Sequence, residues 1–545
     1  MSGNSDCEDS MLRFYEATDI NDTMESANNK NDKTAATLDE AMLLSGFGIY
    51  NILHMLMTGL ILMGMIMHCL VLGYVIPAAQ CDLELTSQQK GWLSALPFTA
   101  IILTSYFWGW LADTKGRRTA MLGSMFLAVV ISAISSFAPN LTSFAVLQFV
   151  SAIFMTGPSA VVYTFLGEFH NLRHRDKMVT FGSAFIGIGT VVLPCLSWLI
   201  LPLNFSYYIE FLDIYYRPWR LLVVACTIPF ALATVFLFFA PESPKFLYSS
   251  GRHEECLEVL KIIYSANNFK PKDSFTVKSL IMENQVTNLN KGKAGITGVL
   301  ASMKEQTFPI FKPPLLPWIC LTCFVQFGIF SATNGFYIWF PTILNALGSQ
   351  DSVNMKICDV IELTRAKAAA DALNSTTIIC DDTIYTSTFE RSIYVGLVFC
   401  SMYLIVAVLV DFVGKKYILV VTLTITGVCA ISANLVYDQQ IAVVLFAIFQ
   451  MSGACVGLTN AVAVQLFPTK YRGMAVCLSM MSGRSGSMVG SYLIGLFLDI
   501  NCGAGFYLFG SLLVVNGLTC LTLPNMKKEK VSKPMTNETK ETQEP

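Results

Sequence analysis

The sequence predicts an all-α polytopic membrane protein in which twelve transmembrane helices form two parallel six-helix repeats. Three observations predict it: a composition too apolar for a water-covered globule, a series of apolar runs of bilayer length, and two loop patterns that each occur twice. Of the 545 residues, 54% are hydrophobic and 14% charged, with a mean hydropathy of +0.55. An average soluble domain is about 25% charged. Lipid must therefore cover much of the surface. A net charge of −2 gives no global field for nucleic acid. The sixteen cysteines lie mostly in apolar runs, without CxxC pairs or metal-ligand spacing. Most read as small apolar filler, and neither metal nor cofactor is expected.

The elements follow in chain order. Residues 1–44 read as a disordered, acidic cytoplasmic tail with Asp6, Glu8, Asp9 and Glu16. They lack the basic-then-apolar order of a cleavable signal, so targeting is expected to fall to the first span. A bilayer core requires about 20 apolar residues of helix. By that measure the first half, 45–240, holds spans at 55–79, 91–112, 119–138, 141–167, 178–202 and 219–240. The second half, 315–524, holds spans at 315–344, 392–410, 417–437, 440–467, 473–498 and 503–523. Between them lies a polar linker, 241–314, with ten Lys or Arg. In it Leu257, Leu260 and Ile263 recur at helical spacing amid Glu254, Glu255, Glu258 and Lys261, the pattern of an amphipathic surface helix. A C-terminal tail, 525–545, completes the chain.

Sidedness follows from the basic residues of short loops. One side holds ten (Lys115, Arg117, Arg118, Arg173, Arg175, Lys177, Lys415, Lys416, Lys470, Arg472) and the other three (Lys90, Arg217, Arg220). Both termini and the linker are therefore expected in the cytoplasm. The loop 345–391 is then extracellular or luminal, and its sequon at Asn374 lies between Cys358 and Cys380. A Cys358–Cys380 disulfide around a glycosylated Asn374 suits an oxidising face. Asn204 carries a second sequon on that side, whereas those at Asn21 and Asn537 lie on the other and are expected to stay bare.

The repeated patterns establish the duplication. GWLADTKGRR, residues 109–118, follows the second span, and LVDFVGKK, residues 409–416, follows the eighth. Asp113 maps to Asp411, Gly116 to Gly414 and Arg117 to Lys415, at an offset of 298. Gly167 through Arg175 maps to Val464 through Arg472 at 297. Two pairs at essentially one offset imply two halves of the same orientation. Gly116 permits a tight reversal, and Gly109 is expected to let a neighbouring helix approach closely. Asp113, Arg117, Arg118, Glu168 and Arg175, with their second-half counterparts Asp411, Gly414, Lys415 and Arg472, are expected to form a cytoplasmic gate joining the halves.

GWLADTKGRR resembles the loop signature of the major facilitator superfamily. PESPKFL, residues 241–247, is similar to an element shared by sugar porters, organic-ion transporters and synaptic vesicle glycoprotein 2 relatives. GYVIPAA at 73–79, Trp219-Arg220 and PTKYRGMA at 468–475 resemble the last of these branches. The resemblance spans about residues 45–525. It implies a twelve-helix fold with a central cavity and alternating access, and it adds Glu242 to the gate. Met65, His68, Gln148, Gln465 and Asn460 stand where such relatives carry ionisable residues, which puts proton coupling in doubt.

Arg484 stands about eleven residues into its span, near mid-membrane, where a charge costs about 2.5–3.5 kcal/mol on insertion scales. It is expected to face a cavity and hold an anionic group such as a carboxylate. The surrounding GRSGS, 483–487, looks like the eleventh-span region of organic-ion transporters. His68 is a candidate titrating group of the cavity. Tyr163, Gln326, Asn334, Tyr337, Trp339, Gln450 and Asn460 complete a polar and aromatic candidate set. No Walker loop, GxSxG elbow, HExxH or dinucleotide fingerprint occurs, so no enzyme is expected. The reading is a monomeric transporter of small organic solutes, anions favoured, secondary active or facilitative, with a proton or other ion as candidate partner beside the bilayer. A transport-inactive glycoprotein that binds partners is the alternative, and plasma membrane and secretory vesicle both remain open.

Overall fold

In lipid every backbone polar group must be satisfied within the chain, and apolar runs of this length therefore become helices. The computed structural model describes residues 35–281, 308–348, 355–374 and 384–524. The first six spans are Ile49–Ala78, Ser87–Lys115, Arg117–Ser135, Leu141–Glu168, Leu172–Ile200 and Pro218–Phe239. The second six are Leu316–Leu347, Thr386–Val413, Lys415–Ala433, Gln439–Leu466, Thr469–Ile500 and Cys502–Thr519. Among the described residues, ten helices are long and apolar enough to cross a membrane by themselves. The first, sixth and tenth spans are broken, the last by a 3-10 turn at Met451–Ala454. Polar side chains cap several starts: Thr86 with Gln89 on the second span, Asn140 on the fourth and Asn171 on the fifth.

The duplication is visible in the backbone. Gly116 turns between the second and third spans at φ +107, ψ 147, and Gly414 turns between the eighth and ninth at φ +90, ψ 149. Both φ values lie where glycine is favoured. Each half is thus six helices running in the same sense as those of the other.

Both described chain ends and the linker lie on one face, called here the linker face; the opposite one is the loop face. On the loop face the halves meet closely. A Cβ on Gly73 of the first span would lie 2.6 Å from Ile338 O of the seventh, and one on Gly396 of the eighth 2.6 Å from Thr190 O of the fifth. Tyr337 donates its hydroxyl to Thr190 O at 3.0 Å, and Trp92 packs on Tyr492 with ring centroids 5.2 Å apart.

Two expectations are corrected here. Residues 35–44, placed in the disordered tail, form a strand and a helix instead. Ala35–Ala36 pairs in parallel with Ser279–Leu280, and Leu38–Leu44 is capped by Thr37 and Glu40. The helix His253–Asn268 buries Cys256, Val259, Leu260 and Ile263 in a cluster that includes Ala41 and Met42 of the tail helix. The tail lacked a signal for this because its partners come more than 200 residues later.

The second correction concerns the disulfide. Cys358 is bonded to Cys502, not to Cys380, which lies outside the described residues. The loop carries a helix, Ile357–Asn374, whose start is held against the turn between the eleventh and twelfth spans. Arg365 of that helix donates to the carbonyls of Leu498 and Asp499 at the same turn. Sequence proximity favoured Cys380, whereas the packing of this helix selects Cys502. Asn204 is exposed just before a hairpin, Tyr207–Ile209 with Ile214–Tyr216, on the same face. The side chain of Asn374 lies outside the described residues.

Candidate functional site

The eleventh span is built from small residues: Ser479, Ser482, Gly483, Ser485, Gly486, Ser487, Gly490 and Ser491. Such a face lets backbones approach. A Cβ on Gly490 would meet Ser331 of the seventh span, and one on Gly483 would sit 2.9 Å from Gln326 Cγ. Arg484, halfway along this helix, turns toward the other half of the molecule. Its Nη2 donates to Ser159 Oγ of the fourth span at 2.7 Å. Cys69 of the first span, Tyr163 of the fourth and Cys477 lie near it, and none of the three is a carboxylate. Ser183 of the fifth span lies near Tyr163.

One turn toward the linker face, the second half supplies an amide pair. Gln326 Nε2 donates to Asn460 Oδ1 at 3.1 Å, and both amides contact Met480 Sδ, at 3.3 and 3.2 Å. Gln326 Oε1 is buried with no partner among the described residues. Toward the loop face, Asn334 donates to Ser487 Oγ at 2.9 Å. The structure therefore brings Tyr163 near Arg484 from the opposite half, and sets Gln326, Asn460 and Asn334 beside neighbouring turns of the Arg484 helix within the second half. Ser159 and Cys69 belong with them and were missed. Gly157-Pro158-Ser159, a proline inside a span between small residues, was the available signal for Ser159. Cys69, in an apolar run, carries no such signal.

The other candidates sit elsewhere. His68 is buried inside the first half, with Nε2 3.5 Å from Ser151 Oγ, which itself donates to Ala128 O. It does not face Arg484; its neighbour Cys69 does, since one residue turns a helix by about 100°. Tyr337 belongs to the loop-face contact between the halves, and Trp339 bonds Ser491 O at 2.8 Å as packing within the second half. Gln450 is fully buried beside the 3-10 turn of the tenth span, its Oε1 and Nε2 without partners among the described residues.

At the linker face the expected cluster exists in the first half. Arg117 spans Asp113 and Glu168 at 3.2 Å each and stacks over Phe246, while Ser243 donates to the same Glu168 oxygen at 2.5 Å. Glu242 accepts from the backbone N–H of Arg118 at 2.9 Å and of Thr119 at 3.3 Å, capping a helix whose N-cap, Gly116, has no side chain. Arg118 in turn donates to the carbonyls of Leu237 and Phe238, and Arg175 lies over Gly167. These contacts join the first half to the start of the linker, at Glu242, Ser243 and Phe246, and none of them reaches a described residue of the second half. Gly109 is corrected too: a Cβ there would meet nothing within 4 Å. In the second half the side chains of Asp411 and Arg472 lie outside the described residues, Lys415 is half-buried, and Lys416 donates to Leu523 O at 2.5 Å.

Comparison with known proteins agrees with this architecture. Synaptic vesicle glycoprotein 2C of Mus musculus is 26% identical over 309 residues, which are 54% of this chain and 42% of that protein. Synaptic vesicle glycoprotein 2A of Bos taurus is 27% identical over 308 residues, 54% and 41% of the two chains. The matched stretch is thus less than half the length of these curated relatives. The xylose transporter XylE from E. coli, in a partially occluded inward-open conformation, superposes with a TM-score of 0.62 at 14% identity, covering 87% of this chain and 100% of that one. Its inward-open form gives 0.61 at 15%, covering 88% and 97%. At such identity the likeness concerns the fold. A profile of the Major Facilitator Superfamily matches residues 44–357 and 392–543. With the twin Gly116 and Gly414 turns, the paired halves and a match over most of its length, this chain belongs to the major facilitator superfamily.

Proposed function

We propose that this protein is a transporter of small organic solutes, organic anions favoured, that works by exposing the Arg484 site to the two faces in turn. One observation carries the reading: a guanidinium at mid-depth whose hydrogen bond crosses to Ser159 of the opposite half, in a ring of neutral groups. A planar fork of donors on a dry wall suits a carboxylate, which it can bind through two parallel bonds. Tyr163, Gln326 and Asn460 add neutral donors and acceptors for the rest of the solute. Because Arg484 and Ser159 lie on opposite halves, a solute held between them feels any rocking of one half against the other.

The packed loop face and the exposed Cys477, two turns from Arg484 toward the linker face, support entry from the linker side in this conformation. Excess basic residues support placing that side in the cytoplasm. The named relatives are synaptic vesicle glycoproteins, which supports a vesicle membrane as one location.

The test is uptake by the purified chain in proteoliposomes across a panel of carboxylates, cations and neutral sugars. Arg484→Ala and Arg484→Lys are expected to abolish carboxylate uptake while the protein remains folded by thermal unfolding. Uptake that survives both substitutions removes Arg484 from the site. Preference for cations or sugars in the parent protein removes the anion reading.

A further inference from the structure

The tail helix and the linker helix end side by side where the first span begins. Asn267 joins them. Its Nδ2 donates to Ser45 O at 3.5 Å, Gly46 O at 3.1 Å and Asn51 Oδ1 at 2.8 Å, while its Oδ1 accepts from Tyr50 N–H at 3.0 Å. Asn268 Nδ2 adds Ser45 O at 3.4 Å. A Cβ on Gly48 would lie 3.0 Å from Asn267 Cα, so the end of the linker helix touches the chain as it enters the membrane.

The residues flanking these bonds are large, apolar and turned outward. Leu43 is 59% exposed, Leu44 51% and Phe269 84%. Phe269 has a φ of +54, a left-handed conformation unusual for a bulky residue, and its ring finds little cover among the described residues. Lys270 and Lys272 follow, both exposed; Lys272 Nζ pairs with Glu258 at 3.0 Å, a solvent-facing contact of the kind that contributes little and can be exchanged. The same outward stripe continues down the first span as Ile49, Ile52, Leu53 and Leu56, each exposed where lipid must cover it. The patch is therefore the rim of the bilayer-facing surface, not an isolated spot on a water-facing one.

We propose that Leu43, Leu44 and Phe269 dock into the headgroup layer of the leaflet at the linker face, with Lys270 and Lys272 against anionic lipid headgroups. An amphipathic element of this kind buries its apolar side about 5–10 Å into that layer, and nearby basic residues draw it toward anionic lipid. Continuity with the lipid-facing stripe and the two lysines select a lipid surface over a protein partner. Through Asn267, the contact holds the linker to the leaflet and to the first span together.

The test uses Phe269→Trp in the full chain, reconstituted in phosphatidylcholine–phosphatidylserine vesicles and read as the difference from the parent with its seven tryptophans. The added emission is expected to disappear with lipid brominated near the top of the acyl chain and to resist aqueous iodide. Quenching by iodide with no effect of brominated lipid overturns the proposal. Shielding from both quenchers also overturns it, since protein then covers the ring. Where Phe269→Trp fails to fold, Leu44→Trp gives the same reading. Equal quenching after phosphatidylserine is replaced by phosphatidylcholine removes the lysines from the contact.

Discussion

The two copies of the repeated loop make the same turn and keep different company. In the first copy Gly116 turns against the Glu242 carboxylate, Arg117 bridges Asp113 and Glu168, and Glu242 caps the third span. In the second copy a Cβ on Gly414 would meet nothing within 4 Å, and the ninth span starts without a side-chain cap. Backbone geometry was retained in both, while the two glycines differ in what lies against them: a carboxylate at Gly116 and open space at Gly414. The repeated motif therefore fixes the turn, while the neighbours of its glycine come from elsewhere in the chain.

Substitutions in matched pairs test this contrast. The largest effect is expected at Arg117, whose loss strands the buried Glu168 carboxylate. Arg117→Ala should destabilise the first half by about 3–5 kcal/mol, as for other broken buried pairs. Thermal unfolding in lipid nanodiscs reads the loss, and an unchanged unfolding temperature would show that Arg117 does not hold Glu168 in place. Next come the glycines. Both alanines incur the left-handed backbone cost of roughly 1–2 kcal/mol. Gly116→Ala must also displace Glu242, so it should lower the unfolding temperature further than Gly414→Ala. The smallest effect is at Gly109. It lies inside a helix beside open space, so Gly109→Ala should be neutral or stabilising by up to about 1 kcal/mol. A marked loss there would restore the close-packing role that its place in the motif suggests.

Apolar length located every span in the sequence, and the two repeats located the halves, because both are properties of the chain read locally. What failed was rotational phase. In the first span 78% of the most apolar stretch is buried, so hydrophobicity marks no single inward face. His68 and Cys69 were then indistinguishable by pattern, and the more polar one was chosen. The start of that span was placed too late for a related reason. Asn51 and His54 look like membrane-averse residues, yet Asn51 donates to Phe169 O at 3.0 Å and the His54 ring stacks on Phe169 with centroids 4.1 Å apart. Those partners are more than 100 residues away. Arg484 was legible because a lone charge in a span has few ways to be tolerated, whereas Ser159, its partner, looks like any small residue.

The parallel pairing of Ala35–Ala36 with Ser279–Leu280 sets an order of events during synthesis. The early segment leaves the ribosome first but has nothing to zip to until all six helices of its half have been threaded into the bilayer. Its closure is therefore a late checkpoint: a nascent chain halted before Ser279 would show its amino-terminal flank open to protease, and one that had passed it would not.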